Sequence, residues 1–126
     1  MIIKKRKDLT HTLHQTSGET VESPILTPVN YLEASVAMCV AKTLDFLDTR
    51  DALELSGYDV TVKSMIDDTL KPRRVSDVTV NIRFVDALES SLAKKLKLKA
   101  KRGCVIGHTL EHPVNVVLVD EAEGES

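Results

Sequence analysis

Two cysteines, Cys39 and Cys104, are the side chains of this sequence best suited to redox chemistry. A thiolate can take the terminal oxygen of a hydroperoxide, become a sulfenic acid and condense with a neighbouring thiol to a disulfide. Such a thiolate needs a cation, a base or a helix N-terminus beside it to lower its pKa. Cys39 lies in an apolar stretch, where a cysteine is more often a small core residue than a nucleophile. Cys104 follows Lys101, Arg102 and Gly103, which makes its setting the more electropositive of the two. Spacing alone does not bring them together.

Other chemistry-bearing patterns are weaker. Cys104, His108 and His112 recur at four-residue steps, so a continuous helix would line them on one face as metal ligands do. Gly107 interrupts that helix and no fourth ligand stands out, so neither a metal nor another cofactor is expected. His11 and His14 are three apart in a predicted strand and point to opposite faces, as surface residues. The run from Lys94 to Arg102 could contact nucleic acid or an acidic protein. No aromatics interleave with it for base stacking, and it reads instead as a solvated helix face.

The elements that must position the cysteines are legible from periodicity. Pro28 opens the strongest helix, with Thr27 placed as its cap. Leu32, Val36, Cys39, Val40, Thr43, Leu44 and Leu47 draw one stripe along it, and Ala34, Ala37, Met38 and Ala41 widen that stripe. A helix this apolar is buried on several sides, with Cys39 at its middle. Glu33, on the same helix, is expected at a surface or interface.

Residues 1–22 suit one or two edge strands, with Ser17-Gly18 as their turn and Arg6 as the only arginine before Cys39. Beyond Gly57-Tyr58, Val60 and Val62 alternate with polar residues, and Val78, Val80, Ile82 and Phe84 do so more clearly. Lys71-Pro72-Arg73 suits the hairpin between these strands. Leu88, Leu92, Leu96 and Leu98 mark a second helix that stops at Gly103. Cys104 then begins a short helical segment ended by Pro113, and Val114–Val119 is expected to close the chain as a buried strand. The order is α+β.

Bulk properties narrow the class. A chain of 126 residues favours a single domain, 1–126, and 42% hydrophobic with 29% charged residues is a globular composition. Only 3% are aromatic, so the core must be aliphatic, and a net charge of −2 gives no attraction to nucleic acid or anionic lipid. No apolar run approaches the roughly 18 residues of a membrane span. The basic start, Met1 to Lys7, lacks the apolar segment of a secretory signal, and two distant thiols fit a reducing cytoplasm. The last six residues, from Glu121, are acidic and expected to fray.

Two segments resemble the motifs of the OsmC/Ohr family of osmotically inducible and organic hydroperoxide resistance proteins. One is the helix Pro28-Val29-Asn30-Tyr31-Leu32-Glu33-Ala34-Ser35-Val36-Ala37-Met38-Cys39, with the family's small residues at Ala34, Ser35 and Ala37. The other is Arg102-Gly103-Cys104-Val105-Ile106-Gly107-His108-Thr109-Leu110, followed by the terminal segment from Pro113. The resemblance covers about residues 24–119. It implies an OsmC-like α+β fold in which two long central helices pack against antiparallel sheets, in an intertwined homodimer with sites at the subunit interface.

The resemblance also implies a thiol peroxidase acting in oxidative stress defence. Cys39 would attack an organic hydroperoxide, Cys104 would resolve the product, and a thiol reductant would restore both. No nucleic acid or membrane partner is implied. This sequence departs from the peroxidase pattern at Val29, where a glutamate is usual, and at Val105, where a proline commonly follows the second cysteine. No motif equates Arg6 with the arginine that stabilises the family's thiolate. The alternative is an OsmC-like module that binds a small apolar ligand or senses redox state without peroxidase activity.

Overall fold

The computed structural model describes residues 1–7, 11–14 and 27–119. In chain order its elements are β1 (Ile2–Lys5), β2 (His11–His14), α1 (Pro28–Asp51), β3 (Tyr58–Asp67), β4 (Arg74–Phe84), α2 (Ser90–Arg102) and α3 (Val105–Glu111). The strands form one antiparallel sheet in the order β2-β1-β3-β4.

Helix α1 begins where the sequence places its signals. The Thr27 hydroxyl accepts a hydrogen bond from the Asn30 amide at 3.2 Å, and the Asn30 side chain accepts one from the Thr27 amide at 3.1 Å. This reciprocal cap satisfies two amides that a helix start leaves without helical partners. Pro28 costs nothing in the first turn, where its missing N–H has no helical acceptor. The buried face carries Ala34, Val36, Ala37, Val40, Ala41, Leu44 and Leu47. Three of these are alanines, which let α1 lie close against the sheet and against α2.

The core runs across three strands in register. Ile3 pairs with Val60 and Val60 with Ile82, and all three are buried beneath α1. Burying each such aliphatic side chain is worth about 1.5–3 kcal/mol. Two positions along, on the same face, Lys5 pairs with Tyr58, and both are buried. The Lys5 ammonium reaches Asp45 of α1 at 2.8 Å, and the Tyr58 hydroxyl donates to the same carboxylate at 2.7 Å. Burial, then the Asp45 carboxylate, push the Tyr58 phenol well above its ordinary pKa, so it stays a donor.

On the opposite face of the sheet, Asp59 lies between Arg6 and Arg83, at 3.0 and 2.9 Å. Burial pushes its carboxyl up, but hydrogen bonds from Arg83 and Arg6 outweigh burial and hold it below the ordinary value. Gly57 precedes β3 because any Cβ there would collide with the Lys5 carbonyl oxygen.

Four expectations are corrected. The connection between β1 and β2 covers residues 6–10, ahead of Ser17-Gly18, which lie outside the described residues. Val114–Val119 form no strand: Val114, Val116, Val117, Leu118 and Val119 are 61–95% exposed, because no strand among the described residues pairs with them. The two helices are unequal, α1 having 24 residues and α2 only 13, and among the described residues there is one sheet rather than several. Glu33 ties α1 to β3, accepting hydrogen bonds from the Ser64 amide and hydroxyl at 2.9 and 2.6 Å. The acidic end from Glu121 lies outside the described residues. Among the described residues no helix is long and apolar enough to cross a membrane.

Candidate functional site

Cys39 and Cys104 are 65 positions apart in the chain, yet the fold brings them near enough for Cys39 to influence the Cys104 thiol. Cys39 is half-buried on the middle turns of α1. Cys104 occupies the corner between α2 and α3, where Gly103 ends the first helix and Cys104 caps the second. Its sulfur accepts a hydrogen bond from the Gly107 amide at 3.2 Å. An alanine Cβ at 107 would come within 3.3 Å of that sulfur, so glycine there leaves room for the thiol.

The corner is seated on α1 through Thr43, one turn beyond Cys39. The Thr43 hydroxyl donates to the Cys39 carbonyl at 3.0 Å and lies 3.4 Å from the Gly103 carbonyl. Cys39 also opens onto a hollow of about 420 Å³ lined by Lys42, Thr43, Phe46 and Gly103. Lys42, three residues after Cys39, is the cation that shares this hollow with the thiol. Sequence reading passed over it, although helical i, i+3 spacing places the two side by side.

Cys104, expected in the more electropositive setting of the two, is governed instead by burial. It is only 3% exposed. Burial pushes its pKa up, the Gly107 amide offsets part of that, and the neighbouring Cys39 raises it further. Arg6 is not the thiolate's cation either: its guanidinium is held by Asp59 and by the Lys5 and Tyr58 carbonyls. Val29 is half-buried at the first turn of α1.

The spaced histidines are not brought together with Cys104. His108 places Nε2 on the Arg102 carbonyl at 2.7 Å, and His112 places Nδ1 on the His108 carbonyl at 2.8 Å. Among the described residues no group of three or more His, Cys, Asp or Glu side chains could hold a metal ion. His11 and His14 belong to β2.

On its other side Cys104 closes one end of a groove of about 990 Å³ between α1, β4, α2 and α3. Val78, Val80, Leu98 and Leu110 give it an apolar lining. Lys94, Lys97 and Lys101 stand along one wall, with Asp77 and Glu111 also at its edge. Part of the lysine run that reads as a solvated face therefore borders a cavity.

The sequence profile of the family described as OsmC-like protein matches residues 21–119, well over half of the chain. The chain belongs to the OsmC-like protein family. Its fold is also that of a Psychrobacter arcticus 273-4 protein described as an osmotic stress induced and detoxification response protein. That structure superposes with a TM-score of 0.61 over 85% of this chain and 76% of the other, at 19% identity. No curated protein matches the sequence. The family match spans both cysteine motifs of this OsmC-like chain, and at such low identity the structural likeness establishes the fold alone.

Proposed function

We propose that this OsmC-like protein reduces organic hydroperoxides with Cys39 as the attacking and Cys104 as the resolving thiol. The observation that carries this reading is the juxtaposition of the two cysteines, with the Thr43 hydroxyl reaching the carbonyls of Cys39 and of Gly103, the residue before Cys104. In the first step the Cys39 thiolate attacks the terminal peroxide oxygen. The S–O bond forms as the O–O bond breaks, the sulfur is oxidised to sulfenic acid, and the alkoxide leaves to be protonated. In the second step the Cys104 thiolate attacks the Cys39 sulfur, the S–S bond forms, and hydroxide leaves as water. A dithiol reductant then returns both thiols by exchange.

The half-exposed position of Cys39 beside Lys42 suits the first role, and the enclosed position of Cys104 suits the second. That the structural relative is described as a detoxification response protein is consistent with this reading.

The raised pKa of Cys104 makes its step sensitive to pH. Once Cys39 is a neutral sulfenic acid its charge no longer opposes Cys104, but burial, the largest cause, persists. The thiolate fraction, and with it the rate of disulfide formation, should rise about tenfold per unit between roughly pH 7 and 8.5. Stopped-flow oxidation of the reduced protein measures this. A flat profile would mean that Cys104 does not act as the resolving thiolate.

The functional unit we propose is a homodimer. Tyr31, Met38 and Phe46 on α1, together with the valine-rich segment after Pro113, leave large apolar side chains half exposed or more, and exposed apolar surface of this kind marks interaction sites. A second copy that covers these residues would also enclose Cys39. Sedimentation at micromolar concentration should give twice the chain mass, and a stable monomer would refute the assembly.

Val29 and the engagement of Arg6 with Asp59 favour one other reading, an OsmC-like module that binds an apolar ligand in the groove without peroxide chemistry. Such a protein would leave hydroperoxide unconsumed while its Tm rose with added ligand.

A further inference from the structure

The α2–α3 corner approaches α1 closely at Gly103, one residue from Cys104, where it meets Thr43, one helical turn from Cys39. A Cβ built on Gly103 would stand 2.7 Å from the Thr43 Cγ2 methyl, and its next neighbour, the Lys99 carbonyl oxygen, is 3.4 Å away. The backbone of Gly103 therefore rests directly on the threonine side chain. Gly103 has φ −87°, which any residue adopts, so the glycine is required there by this close approach and not by its backbone conformation. Thr43 in turn is fixed by the hydrogen bond from its hydroxyl to the Cys39 carbonyl.

We propose that Thr43 and Gly103 form a spacer that sets the separation of Cys39 and Cys104, making both positioning residues for disulfide formation. The inference rests on the two-cysteine reading for its biological role, although the geometry of the pair can be measured without hydroperoxide. Condensation needs the attacking sulfur in line with the S–O bond. A displacement of about 1 Å can cost such a step roughly 100-fold. A side chain at 103 forces either the Thr43 side chain or the corner to shift. Thr43 is held by its hydrogen bond to the Cys39 carbonyl, so the corner is expected to yield and to carry Cys104 with it.

The contact predicts a specific rescue. Gly103→Ala collides with the Thr43 methyl, and Thr43→Ser removes that methyl while keeping the hydroxyl. Gly103→Ala should lower the effective concentration of the Cys39–Cys104 pair, measured against dithiothreitol redox buffers, by roughly 10- to 100-fold. In the oxidation by hydroperoxide it should slow disulfide formation far more than sulfenic acid formation. Adding Thr43→Ser should restore most of both losses, a non-additivity expected only of residues in contact.

A wild-type effective concentration in Gly103→Ala, or a double variant as impaired as the single one, would overturn the proposal. Should Gly103→Ala fail to fold, Thr43→Ala removes the spacer from the other side. It should lower the effective concentration about tenfold, and no change would overturn the proposal equally. Failure of the peroxidase reading would look different: the redox-buffer result would stand while hydroperoxide left both thiols reduced.

Discussion

Cys39→Ser is expected to lose hydroperoxide turnover by on the order of 10³-fold or more, while Cys104→Ser retains a single turnover. Serine is nearly isosteric, but its hydroxyl is far weaker as a nucleophile and has no sulfenic state, so the first bond cannot form. Without Cys104 the first bond still forms, and Cys39 stops as a sulfenic acid that an added thiol can clear. The cap at position 104 should survive this substitution. Cys104 caps α3 by accepting from the Gly107 amide, and serine is a preferred residue for that task. Hydroperoxide consumption at limiting and excess substrate separates the two variants. Equal activity in Cys39→Ser would remove the proposed mechanism, and full turnover in Cys104→Ser would remove Cys104 from it.

The second large effect concerns stability. Lys5 is 7% exposed, and its ammonium is paired with Asp45 at 2.8 Å beneath the sheet. Asp45→Ala would leave that charge in the core without its carboxylate and would take from Tyr58 its shortest hydrogen bond, leaving the Ala41 carbonyl at 3.0 Å. Removing one partner of an enclosed pair costs about 3 kcal/mol, the lower end of the usual range, because Asp45 is partly open to water. That corresponds to a fall in Tm of roughly 10 °C, read by thermal or urea denaturation. Adding Lys5→Met should recover part of the loss, since a hydrophobic side chain can occupy the site without a charge. A loss under about 1 kcal/mol would show that water already solvates Lys5.

Local chemistry made most of the fold legible. Thr27 and Pro28 declare the start of α1, the alternation from Val78 to Phe84 declares β4, and Gly103 declares the end of α2. Each signal depends on neighbours within a few residues. Val114–Val119 has the composition of a buried strand, but burial requires a partner strand, and composition cannot supply one. Ser17-Gly18 has turn chemistry, yet the strands pair nearer the N-terminus, where Ile3 meets Val60 and the core lies.

The site was legible in its residues and not in its electrostatics. Cys39 on α1 and Cys104 at the α2–α3 corner lie where periodicity puts them. Their nearness depends on how that corner packs on Thr43, a long-range event with no sequence period. Lys101 and Arg102 beside Cys104 suggest an electropositive setting, but the sulfur is buried, and burial is the largest influence on the thiol. Lys42 carries a signal that sequence reading can use, its i+3 spacing from Cys39 on one helix.

The central claim is that Cys39 and Cys104 are one redox pair that consumes hydroperoxide. It is tested most directly by adding one equivalent of an organic hydroperoxide to the reduced protein and mapping its peptides by non-reducing mass spectrometry. The account predicts a Cys39–Cys104 disulfide that forms in step with loss of the hydroperoxide. Two free thiols beside unconsumed hydroperoxide would contradict it.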